Sequence, residues 1–127
     1  MAEPVFAWLS EYVGVNPESA ASAFAAWRVM YHERHGVKTC AALLKGQEIH
    51  FIVAPEWRNR AITRDNARAF LASLLEQCNG MLTTRVLHNT PDRAAFVERI
   101  GFKKTWSDER FDYYALCEPP FQRSATT

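Results

Sequence analysis

The apolar positions along the chain change period several times, and each change marks an element. In residues 4–13, PVFAWLSEYV, Phe6, Leu9 and Val13 fall on one helical face and Pro4 suits a first turn, which predicts a short helix. GVNP breaks it. The alanine-rich PESAASAF from Pro17 predicts a second helix capped by Asn16. The period then drops to two: AAWRVMYHE places Trp27, Val29 and Tyr31 on one side, RHG at 34–36 signals a turn, and VKTCAALL at 37–44 reads as the returning strand. A helix running on through Met30 is the alternative for this stretch. KGQ at 45–47 makes another turn, and EIHFIV at 48–53 is a third strand, ended by Pro55.

From about residue 62 to 78 the helical period returns, with Ala67, Phe70, Leu71, Leu74, Leu75 and Cys78 as its apolar stripe and Asn79-Gly80 as its stop. MLTTRVL at 81–87 is a strand. TPDRAAFVERI is a helix with Pro91 in its first turn and Gly101 just past its end. FKKTWSDE and RFDYYALCE read as a final hairpin, and PPFQRSATT, 119–127, as a tail. The order predicts an α/β (α+β) domain over residues 1–118, a mixed sheet with helices packed on it.

Composition narrows the function classes. A chain of 127 residues fits one domain, and 48% apolar with 23% charged residues is ordinary for a globular protein. A net charge of +1 argues against broad binding to nucleic acid, and no Rossmann or Walker glycine pattern is present. Cys40, Cys78 and Cys117 are odd in number and far apart, as expected of reduced thiols in a cytoplasmic setting. His32, His35, His50 and His88 show no ligand spacing with them, so no metal is expected. No signal peptide and no membrane span is expected either.

The chemistry concentrates where the strand of 48–53 turns into the following helix, VAPEWRNRAIT. The first N–H groups of a helix lack intrahelical partners and the dipole is positive there, so such a junction suits phosphate. Arg58, Arg60 and Arg64 add charge, or are simply solvated on an exposed turn. Glycine is absent. Thr63 is branched, and its hydroxyl can cap the helix by accepting from the N–H of Asp65 or Asn66.

Two stretches together resemble the Gcn5-related N-acetyltransferase (GNAT) family over roughly residues 25–117. IVAPEWRNRAIT resembles its cofactor segment, V-x-P-x-[YW]-R-G-x-G-x-G/A, and NTPDRAAFVERIGF resembles its second motif. The resemblance implies a mostly antiparallel central sheet of about six strands flanked by helices. It implies acetyl-CoA as cofactor, bound through Ile52, Val53, Arg58, Asn59, Arg60, Ala61, Ile62, Thr63, Arg64 and Asn89, with an amine as acceptor. Ala61 and Thr63 stand where the family has glycine or another small residue, and Val97 stands where it often has the tyrosine that protonates the departing thiolate.

For proton transfer the candidates are Glu48 and His50 on the strand before the turn and Tyr113 on the last strand. Each also has a plain reading: a solvated strand start for Glu48, a hydrogen-bonded sheet histidine for His50, a helix cap for Asn89. As an alternative, the chain also resembles small, degenerate tailed-phage proteins of this fold that act in virion assembly or as internal virion components. That resemblance implies a non-catalytic protein with protein partners, in the virion or the host cytoplasm. A homodimer fits either case.

Overall fold

The computed structural model describes residues 3–58 and 61–118, and for residues 61–64 the backbone alone. The elements are α1 (Pro4–Val13), α2 (Pro17–Ala23), β1 (Arg28–Arg34), β2 (Val37–Lys45), β3 (Glu48–Val53), a 3-10 turn (Pro55–Trp57), α3 (Ala61–Gln77), β4 (Leu82–Leu87), α4 (Pro91–Arg99), β5 (Lys103–Ser107) and β6 (Phe111–Leu116). The strands form one six-stranded sheet in the order β1-β2-β3-β4-β6-β5. β1 and β2, β4 and β6, and β5 and β6 pair antiparallel, whereas β3 and β4 pair parallel with Glu48 opposite Thr83. This mixed, mostly antiparallel sheet flanked by four helices matches the GNAT fold expected above.

Local chemistry explains the boundaries. The Asn16 side chain accepts from the N–H groups of Glu18 and Ser19 at 2.7 and 3.4 Å, so it caps α2 as the sequence predicts. α2 ends at Ala23, and the backbone turns through Ala25 N–H to Ser22 and Trp27 N–H to Phe24. β1 then starts at Arg28, which settles the ambiguous stretch from residue 25 in favour of a strand. Gly101, at φ +116°, stops α4, and its N–H bonds the Glu98 carbonyl. The predicted tail, 119–127, lies outside the described residues.

The chain divides into two compact units. One holds the residues up to Lys45 together with Ile49–Thr63. Its core packs Val5 and Phe6 of α1 and Ala20 of α2 against Ala41, Leu43 and Ile52. The Tyr31 hydroxyl ties β1 to the start of α1, donating to Glu3 Oε1 at 2.9 Å and accepting from the Val5 N–H at 3.2 Å. Burial pushes the Tyr31 pKa well above that of a free phenol. Burial likewise pushes the Cys40 thiol up to about 12, which keeps it protonated and inert.

The other unit holds Gly46–Glu48 and the residues from Arg64 on. Phe70, Leu71, Leu74, Val97 and Ile100 of the two helices are buried in it. Along β4, Leu82, Thr84 and Val86 are buried while Arg85 and Leu87 are exposed, so this layer has one covered face and one open face. The open edge strand, β5, carries Lys103 and Lys104 and a register shift between Lys104 and Trp106, both of which discourage further strand pairing.

Candidate functional site

The end of β3 is shaped by Pro55, which starts the 3-10 turn and leaves the Trp57 N–H bonded to the Ala54 carbonyl at 2.8 Å. Arg58 follows in extended conformation, and its guanidinium lies over the Tyr12 ring, 5.2 Å from the centroid. The Tyr12 hydroxyl donates to the Val53 carbonyl at 2.6 Å. The last turns of α1 thus hold both the end of β3 and the first arginine of the junction. Val53 is half-buried and Ile52 is part of the core.

Asn59 and Arg60 lie outside the described residues. The helix is already formed at Ala61. Thr63, weighed above as able to cap the helix, stands in its first turn with helical backbone. Among the described residues, the amides of Ala61, Ile62 and Thr63 are therefore those that the start of α3 leaves without intrahelical carbonyl partners. They stand at the positive end of the dipole of a 17-residue helix, a place that suits an anion.

Glu48 and Tyr113 come together. They line one cleft of about 430 Å³ on the open face, along with Met81, Thr83, Arg85 and Trp106. Arg85 Nε pairs with Glu48 Oε2 at 3.3 Å, and the Arg85 guanidinium lies 4.8 Å from the Phe111 ring centre. Trp106 and Tyr113 are stacked with centroids 4.7 Å apart and planes 7° from parallel. Glu48 sits at the start of β3, the opposite end of that strand from the junction.

The Tyr113 hydroxyl donates to Asp108 Oδ2 at 2.7 Å, which raises the phenol pKa and makes it a weaker acid. The same hydrogen bond, with the N–H groups of Phe111 and Arg110, lowers the Asp108 pKa to about 2. A carboxylate lowered in this way favours the folded state above about pH 4, and the contribution is lost as pH falls toward 2. Unfolding midpoints in urea should accordingly fall between about pH 4 and 2. Asp108→Asn should flatten that slope.

His50 belongs elsewhere. Its ring lies 5.1 Å from that of Trp27 and 5.9 Å from that of Phe24. Asn89 has φ +68°, a left-handed conformation that asparagine tolerates. The N-cap of α4 is Thr90, whose hydroxyl donates to the Leu87 carbonyl at 2.5 Å, so the capping role weighed for Asn89 is not used. Val97 is buried at 6% exposure and packs as an ordinary core residue.

One cluster was not anticipated from the sequence. Asp112 Oδ1 accepts from Ser107 Oγ at 2.6 Å and faces His88 Nε2 at 3.2 Å and Lys104 Nζ at 3.5 Å. These residues meet because β6 lies between β4 and β5, with Val86 and Ser107 opposite and flanking Asp112. Among the described residues no group of His, Cys, Asp and Glu could hold a metal ion, and no helix is long and apolar enough to cross a membrane.

The sheet order with its parallel β3–β4 pair, and a long helix following the β3 turn, define a fold shared with acetyltransferases. Solved structures bear this out. The ribosomal-protein-alanine N-acetyltransferase from Brucella melitensis superposes with a TM-score of 0.63 at 13% identity, covering 91% of this chain and 93% of that one. The N-acetyltransferase PseH from Campylobacter jejuni, solved in complex with acetyl coenzyme A, gives 0.63 at 8% identity, with 93% of each chain covered. The ribosomal-protein-S18-alanine N-acetyltransferase from Escherichia coli gives 0.54 at 14% identity, covering 80% and 76%. At these identities the likeness establishes the GNAT fold. No family model matches the sequence. No curated protein matches it either.

Proposed function

We propose that the protein is an acetyl-CoA-dependent N-acetyltransferase. The observation that carries this reading is the β3–α3 junction: a 17-residue helix beginning at Ala61, directly after a turn whose Arg58 is steadied on Tyr12, within the GNAT fold. These residues fit a pyrophosphate, since helix-first-turn N–H groups and a preset guanidinium are donors of the right kind. Acetyl-CoA supplies an acyl group activated as a thioester.

Arg58, Arg60 and Arg64 neutralise the phosphates, and the amides of Ala61, Ile62 and Thr63 donate to them. Asn59 shares that turn. Asn89 orients the cofactor from the loop after β4, Ile52 packs beneath the end of β3, and the N–H of Val53 serves as donor to the developing oxyanion. Glu48, His50 and Tyr113 have less to offer in proton transfer: Glu48 is ion-paired with Arg85, His50 packs on two aromatic rings, and Tyr113 keeps its proton on Asp108.

Calorimetry with acetyl-CoA, followed by thiol-release assays with spermidine and with a peptide that begins with alanine, tests the reading. Binding followed by thiol release supports it. Heat-silent titration at millimolar ligand contradicts it. A second reading, a non-catalytic protein of this fold acting through protein partners in virion assembly, is favoured by Val97, a buried aliphatic residue at the position of the expected acid. Under that reading no amine is acetylated.

A further inference from the structure

The open face of the β4–β6–β5 layer is stepped, and the strand register is the cause. Side chains two apart on a strand share a face. Arg85, Tyr113 and Trp106 stand side by side across the three strands. The next row on that face has Thr83 beside Ala115, with Glu48 of β3 opposite Thr83. A row of long side chains next to a row of small ones leaves a trough, the cleft of about 430 Å³ that these residues line. That volume lies within the roughly 300–1,000 Å³ of small-molecule sites. Every residue lining it belongs to one compact unit.

The lining combines one charge of each sign with an aromatic wall. Among the described residues that line the cleft, Glu48 and Arg85 are the charged ones. They pair at 3.3 Å, yet their side chains remain 33% and 43% exposed, so a ligand can reach both. Arg85 gives Nε to Glu48 and also reaches the Tyr113 hydroxyl, which leaves further N–H donors of its guanidinium fork. The Thr83 hydroxyl donates to the Gln47 carbonyl at 3.4 Å, and its oxygen can still accept. Trp106, 58% exposed, is stacked on Tyr113. A lone cation entering here is repelled by Arg85, and a lone anion by Glu48. A ligand with adjacent ammonium and carboxylate groups alternates with the pair and meets neither penalty.

We propose that this cleft binds a free α-amino acid with a flat apolar side chain. Its ammonium lies against Glu48 and the Thr83 hydroxyl, its carboxylate against Arg85, and its side chain along the Tyr113–Trp106 wall. Binding there requires no acetyl-CoA.

L-Phenylalanine titrated into the 15N-labelled protein, read at the Trp106 indole N–H, tests this. Trp106→Phe identifies that signal among the four tryptophans. Millimolar L-phenylalanine should shift it saturably. Phenethylamine, with the cation alone, and hydrocinnamate, with the anion alone, should each bind about 10- to 100-fold more weakly. Glycine, which lacks the ring, should leave the signal unmoved. Glu48→Gln should weaken L-phenylalanine about 10- to 100-fold while binding hydrocinnamate at least as well as the wild type does, a pattern that a merely disrupted cleft would not give. An indole signal that L-phenylalanine does not move overturns the proposal. So does equal affinity for L-phenylalanine and either single-charge analogue. A wild-type dimer in sedimentation that Trp106→Ala converts to monomer also overturns it, because a second copy would then cover this face.

Discussion

Arg58→Ala should weaken acetyl-CoA binding by about 10- to 100-fold, the equivalent of about 1.5–3 kcal/mol for a hydrogen bond to a charged group. The guanidinium is exposed, yet it is steadied over the Tyr12 ring at 5.2 Å, and Tyr12 in turn holds the Val53 carbonyl. An arginine held in place loses less entropy on binding than a free one. Tyr12→Phe should therefore weaken binding less than Arg58→Ala, since it keeps the ring and removes only the hydroxyl that fixes the end of β3. Calorimetry at two salt concentrations checks both changes. If Arg58 meets phosphate, the difference between wild type and Arg58→Ala should shrink as salt rises. An Arg58→Ala protein with wild-type affinity would remove Arg58 from the site.

Leu43→Ala should lower the free energy of unfolding by about 2–5 kcal/mol, the range for truncating a fully buried leucine. Leu43 is 0% exposed and sits in the cluster that joins α1, α2 and three strands. Val5 and Phe6 of the same cluster are also buried. Urea unfolding should show a lower midpoint with an unchanged slope. Because this cluster also contains Ile52, at the end of β3, the same variant should bind acetyl-CoA less tightly than its folded fraction alone explains.

Much of the fold is legible in the order of the chain because its signals are local. Proline at the start of α1, α2 and α4, the Asn16 cap and glycine after α4 each act within a few residues. The stretch from residue 25 was ambiguous for a physical reason. Alanines favour helix, whereas Val29 and Tyr31 alternate, and the deciding contacts are distant ones: pairing with β2 and the Tyr31 hydroxyl reaching Glu3 and Val5.

The β3–α3 junction was legible as a boundary between elements, and less so in detail. A strand end, a proline and the return of helical period mark the β3–α3 junction. The start of α3 at Ala61 does not follow from propensity, because threonine is as good a cap as its neighbours. Neither Tyr12 beneath Arg58 nor Asp112 beside His88 can be inferred from spacing, since both depend on which elements pack side by side. Glu48 is a candidate because it is a carboxylate on the strand before the turn. Its distance along the strand from the junction, and its ion pair with Arg85, are what alternation does not reveal.

The central claim is that the first turn of α3 receives the pyrophosphate of coenzyme A. Backbone amide spectra of the 15N-labelled protein, recorded as acetyl-CoA is added, test it directly. The largest shifts should fall on the amides of residues 61–63, 3′,5′-ADP should reproduce part of them, and Arg58→Ala should reduce them. Unchanged amides at 61–63 with saturating acetyl-CoA would contradict it.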